Sequence, residues 1–168
     1  MAQQDRLQPS LLDRLCDDEP QSQQESRDRR VMSLRRLREA VLRDLAWLMN
    51  TSDLTSAEDL RDYPLVAQSV LNYGLPALAG HAVSSVDLPA VERLLRQAIL
   101  NFEPRILKNT LKVRVVAAED QMNHNAMGFV IEGDLWAQPI PQRLFLKTEI
   151  DLETGSVTVT DQGAQGPR

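Results

Sequence analysis

The side chains in this sequence that could move protons or hold a metal are few and scattered. Glu119 and Asp120 form one carboxylate pair, and Asp59 and Asp62 a second. Paired carboxylates can divide general acid and base work between them or bind a divalent cation. Neither pair stands beside a recognisable catalytic motif, and a solvated acidic loop accounts for both. His81 and His124 have no H-E-x-x-H pattern or third ligand around them, so they read either as structural or solvent-facing groups or as parts of a site assembled only by folding. Cys16 is the only cysteine, which excludes an intramolecular disulfide and a cysteine zinc cluster and agrees with a reducing compartment. The glycines at Gly74 and Gly128 sit in neither a dinucleotide fingerprint nor a phosphate loop. The expectation is no catalytic residue, no metal ligand and no cofactor.

The more informative polar group is Phe102-Glu103-Pro104-Arg105-Ile106. Pro104 can end a preceding helix, Phe102 and Ile106 can anchor the two sides of the bend, and Glu103 and Arg105 can enter a charge-complementary contact. Such a unit serves equally as an intrachain brace or as a protein-docking feature. Trp47 and Trp136 carry the same ambiguity between packing and interface anchoring.

The elements that position these groups follow from hydrophobic spacing. The 168 residues are 42% apolar, enough for one core, and the excess of 24 acidic over 19 basic groups gives the whole molecule no general attraction to nucleic acid or anionic lipid. The basic stretch from Arg27 to Arg43 is divided by Asp28, Glu39 and Asp44; it suits a solvated helical face or an acidic protein partner and lacks a zinc-finger or aromatic platform for nucleic acid. No stretch reaches the roughly 20 apolar residues of a bilayer-spanning helix, so direct membrane insertion is not expected. The reading divides the chain into a flexible segment 1–30 with a short helix at 10–16, a single domain 31–160, and a flexible tail 161–168. Within the first segment Leu11, Leu12 and Leu15 either fold back on the domain or dock onto a partner.

Leu34, Leu37, Val41, Leu45 and Leu48 recur at helical steps after a candidate cap at Ser33, and Val91, Leu94, Leu95, Ala98 and Ile99 do so after Asp87. Thr55 or Ser56 can start a short helical segment, which Pro64 should interrupt; Leu65, Val66, Val70 and Leu71 suit a further helical face. After Pro104 the period changes. Leu111, Val113, Val115 and Ala117 alternate with more polar positions, and 128–137, 142–151 and 156–160 read as three further strands. A helical first half packed on a small, mostly antiparallel sheet is an α+β fold.

The ordered combination of SLLDRL at 10–15, SLRRLREAVLRDLAWLMNT at 33–51, LNYGLPAL at 71–78 and AILNFEPRI at 98–106 resembles the TssE family of type VI secretion systems, and more widely the baseplate wedge proteins of contractile phages. The resemblance covers about residues 10–160 and implies a cytoplasmic, non-enzymatic baseplate subunit at the membrane-docked secretion assembly. It implies TssF and TssG as wedge partners, TssK in the same assembly, and a connection to the contractile TssB/TssC sheath. Glu103, Pro104 and Arg105 would be the sheath or baseplate contact, with Phe102 and Ile106 as apolar supports. The family's "lysozyme-like" naming implies a peptidoglycan glycosidase as the alternative, beside that of another cytoplasmic interaction module. A glycosidase needs two suitably separated carboxyl groups, and no such pair is identifiable here.

Overall fold

The computed structural model describes residues 10–15, 34–77, 87–116, 126–137 and 140–163. In chain order its elements are α1 (Leu11–Leu15), α2 (Leu34–Met49), α3 (Pro64–Ala67), α4 (Leu88–Phe102), β1 (Lys112–Val116), β2 (Ala126–Leu135), β3 (Gln142–Asp151) and β4 (Val157–Asp161), with 3-10 turns at Leu54–Ser56 and Val70–Asn72. This is the α+β arrangement expected from the change in hydrophobic period.

Helix α2 buries Leu37, Val41, Leu45 and Leu48 on one stripe, widened by Ala40 and Met49. Each such leucine contributes about 1.5–3 kcal/mol by leaving water. Its last carbonyls are closed by side chains, since the Asn50 amide donates to the Ala46 carbonyl at 2.8 Å and the Thr51 hydroxyl to that of Trp47 at 2.7 Å. Helix α4 begins as expected at Asp87, whose carboxylate accepts from the Ala90 N–H at 3.2 Å, with Pro89 in the first turn. The expected cap Ser33 lies outside the described residues, as do Cys16, His81, Ala117, Glu119, Asp120 and His124.

The four strands form an antiparallel sheet in sequence order β1-β2-β3-β4. Alternation puts Val113, Phe129, Ile131, Leu144, Leu146, Ile150 and Val157 in one core with the helix stripes. Thr148 is buried among them because it sits opposite Phe129 and donates its hydroxyl to the Phe129 carbonyl at 3.2 Å.

Both edge strands are partly covered by helix-borne side chains. Asn50 donates to the Val157 carbonyl and accepts from the Val157 N–H, each at 2.9 Å, so one amide imitates a neighbouring strand on β4. At the other edge Glu92 of α4 accepts from the Val115 N–H at 2.7 Å. These bonds occupy backbone groups that an open edge would otherwise present.

One local expectation is corrected. Asp53, not Thr55 or Ser56, caps the first 3-10 turn, accepting from the Ser56 N–H at 3.0 Å and from its hydroxyl at 2.6 Å. No helix runs through Pro64, as expected; it opens the separate helix α3, because the first helical position has no need of a backbone donor. The loop holding these turns is closed at its base, where Leu75 N–H donates to the Thr51 carbonyl at 2.8 Å and Asp53 N–H to the Leu75 carbonyl at 3.0 Å. Gly74 permits that closure: its φ is +132°, and a Cβ there would stand 2.4 Å from the Thr51 oxygen.

Candidate docking site

Helix α4 ends at Phe102 because Pro104 disfavours helical torsions at Glu103, which adopts φ −121° and ψ 76°. Glu103 keeps its backbone bond to the Ile99 carbonyl at 2.8 Å and turns its side chain inward, where the residue is only 3% exposed. One carboxylate oxygen accepts from the Arg105 backbone N–H at 3.1 Å and from Nε at 2.7 Å, and the other from Nη2 at 2.5 Å. The same Nη2 donates to the Asp44 carboxylate at 2.5 Å. Burial disfavours the Arg105 charge, but Glu103 and Asp44 outweigh it and raise its pKa above the ordinary arginine value.

The turn is also stitched to the end of β2. Trp136 N–H donates to the Arg105 carbonyl at 2.7 Å, Leu107 N–H donates to that of Asp134 at 2.8 Å, and Ile106 forms an antiparallel bridge with Leu135. Ile106 is buried and packs over Gly133, where an added Cβ would lie 3.1 Å from its Cγ2. The expected apolar support is therefore a wedge between helix end and sheet.

From Asp44 the charges continue outward. Its other oxygen accepts from Arg43 Nε at 2.9 Å, and Arg43 Nη1 donates to Asp13 of α1 at 2.7 Å, with the guanidinium 5.1 Å from the centre of the Trp47 ring. Partial burial tends to raise the Asp13 pKa, but its bonds with Arg43 and Ser10 leave it below the usual carboxylate value. Alternating charge thus joins α1, α2 and the turn after α4. Beside this chain lies a groove of about 470 Å³ lined by Ser10, Trp47, Leu48, Tyr73, Phe102 and Pro104, along with the charged groups. Tyr73 meets Phe102 edge-on at 5.1 Å and donates its hydroxyl to the Asp44 backbone carbonyl at 3.3 Å.

The structure brings Phe102, Glu103, Arg105 and Ile106 into one brace and leaves Pro104 exposed at the groove's rim. In α1, Leu12 and Leu15 are exposed, so the helix is held through Asp13; the Leu11 side chain lies outside the described residues. Trp47 and Trp136 are each 51% exposed. Arg38 and Arg43 are engaged by Asp161 and by Asp13 with Asp44, so neither forms part of a merely solvated basic face. Reading the sequence missed Asp44, Tyr73 and the groove. The available signal was Asp44 beside the apolar stripe of α2, at the boundary between core and solvent.

A match to the family described as baseplate wedge protein gp25 spans residues 35–140, more than half of the chain. The chain belongs to this family. The matched stretch runs from α2 through β2 and contains the whole Glu103–Arg105–Asp44 lock and the Tyr73 side of the groove, whereas α1, β3 and β4 lie outside it. Comparisons with curated proteins and with solved structures found no match. Among the described residues, no three His, Cys, Asp or Glu side chains are placed to hold a metal, and no helix is long and apolar enough to cross a membrane. In this baseplate wedge protein Pro104, the Tyr73 and Phe102 rings and the half-exposed Trp47 surround one concavity, beside ion pairs in which Glu103 is buried and Arg105 and Asp44 are partly exposed.

Proposed function

We propose that this wedge-family chain is a TssE-type subunit of a cytoplasmic type VI secretion baseplate, attaching the wedge to the contractile sheath and helping to template it. TssF and TssG are its wedge partners, TssK belongs to the same assembly, and TssB/TssC form the sheath. The observation that carries this reading is the clamp of Arg105 between Glu103 and Asp44 in the family-matched region. It holds the groove rim in one conformation before any partner arrives, which lowers the ordering penalty of docking.

In this account Glu103 acts on a partner through Arg105, because its own carboxylate is buried; Pro104 and Trp47 make the direct contact. A carboxylate enclosed in this way supports a structural role better than that of a glycosidase acid, and the protein is a scaffold rather than an enzyme. Sheath templating uses strand addition. Ser156 and Gln162 backbone groups bond to β3, so strand alternation turns the backbone N–H and C=O of Val159 away from β3, between Asn50-capped Val157 and Asp161, while its side chain packs on the core, leaving a short segment of the β4 edge for pairing.

The test is sheath assembly in cells lacking the native subunit, with a fluorescent sheath protein and a complementing copy of this chain. Wild type restores sheaths, while Glu103→Ala and Arg105→Ala, present at normal levels and folded, reduce them severely. Folded variants that initiate sheaths as wild type does would overturn the assignment of this turn.

A further inference from the structure

The loop between Thr51 and Leu75 is ordered by polar contacts rather than by a core of its own. Its base is the Ser52–Leu75 parallel bridge, and Asn72 accepts from both the Thr55 N–H and hydroxyl at 2.9 Å. Its amide also donates to the Ala67 carbonyl at 3.0 Å, and Ser56 accepts from the Ala77 N–H at 3.1 Å. None of its three short helical pieces has a buried residue. Tyr63, Leu65, Val70 and Leu71 are instead 61–84% exposed, carried by α3 and the adjacent 3-10 turn, which pack against each other.

Scattered surface leucines are ordinary, but four large apolar groups on one internally fastened loop resemble a contact surface. The charge around them selects the partner. From Asp53 to Asn72 the loop has four acids, Asp53, Glu58, Asp59 and Asp62, and one base, Arg61. Asp53 caps a turn and Asp59 pairs with Arg61, whereas Glu58 and Asp62 make no side-chain hydrogen bond or ion pair among the described residues. Like charge opposes pairing of this patch with its equivalent on a second copy and disfavours an anionic lipid surface.

We propose that this loop docks a basic amphipathic segment of a neighbouring baseplate subunit, with Tyr63, Leu65, Val70 and Leu71 taking its apolar side chains and Glu58 and Asp62 its Lys or Arg groups. The inference rests on the baseplate reading above. It names a surface separate from the Glu103–Arg105 turn.

Photo-crosslinking amino acids placed singly at Leu65, Val70 and Pro104 of the full chain test it in cells assembling the baseplate. The expected result is capture from Leu65 and Val70 of one baseplate subunit, at a segment where Lys or Arg flanks apolar residues. The combined Glu58→Lys and Asp62→Lys change should reduce that capture roughly tenfold, the loss expected when complementary charge becomes repulsive. Capture from Pro104 alone would overturn this inference and leave the baseplate reading standing; capture from none of the three would overturn both. Crosslinks from the loop to lipid or to a second copy of this chain would also overturn it, as would capture indifferent to the charge reversal.

Discussion

Arg105 and Asp44 stand 61 residues apart in sequence and meet at 2.5 Å, making the turn after α4 a continuation of the α2 surface. Arg105 simultaneously satisfies Glu103, so its planar guanidinium joins a buried acid to a partly exposed one. The short Glu-Pro-Arg sequence therefore brings a helix end, a second helix and the end of β2 into one rigid unit.

Removing Arg105 leaves the Glu103 carboxylate buried without its counter-charge. Arg105→Ala should destabilise the fold by about 2–3 kcal/mol, below the full value for a buried pair because Asp44 is partly solvated. Arg105→Lys should recover part of the stability but not the two-oxygen geometry. Urea denaturation checks both; an Arg105→Ala midpoint equal to wild type contradicts the clamp.

At the rim, stability and assembly should separate. Trp47→Ala removes a half-exposed ring, with an expected stability change below about 1 kcal/mol. If the groove is a docking site, the same variant loses roughly 2 kcal/mol of wedge affinity, or about thirtyfold. Thermal melting and binding to purified TssF–TssG measure the two effects, and unchanged affinity would remove Trp47 from the interface.

Gly74 tests the loop closure. Gly74→Ala puts a Cβ against the Thr51 carbonyl at a positive φ, and should cost more than about 1 kcal/mol. Faster amide exchange at Asp53 and Leu75, whose bonds close the loop, should accompany the lower melting temperature. Unaltered exchange would mean that the closure tolerates a side chain.

Acid should loosen the contact between α2 and β4. Asp161 is held below the ordinary value of 3.8 chiefly by its hydrogen bonds with Arg38, against the opposing effect of burial. A depressed folded pKa gives stabilisation that is present above the unfolded value and lost as pH falls through the folded one. The expected loss begins near pH 3.8 and continues below it, in the same range as that of Asp13. Asp161→Asn should show a shallower fall in stability over this window, measured by urea midpoints; an identical slope would contradict the assignment.

The helices and sheet were legible because their information is periodic: the Leu37–Leu48 stripe, the Asp87 cap and the alternation in β3 each specify a local structure. The FEPRI unit was visible as a bend with paired charges, yet its two alternative roles depended on where Glu103 and Arg105 pointed. Asp44 was hidden because an acid beside an apolar stripe looks like any solvated helix residue until a distant arginine reaches it. Similarly, Leu65, Val70 and Leu71 have the composition of a core face. Only their exposure in the folded loop shows that they are displayed outward.

The account's central claim is tested most directly by co-expressing the chain with TssF and TssG, purifying through a tag on this subunit and quantifying the complex by mass spectrometry. It predicts reproducible recovery of all three in a fixed stoichiometry, diminished by Arg105→Ala beyond any loss of folded protein. Recovery of the folded chain alone, while TssF and TssG are soluble and assembled with each other, would contradict it.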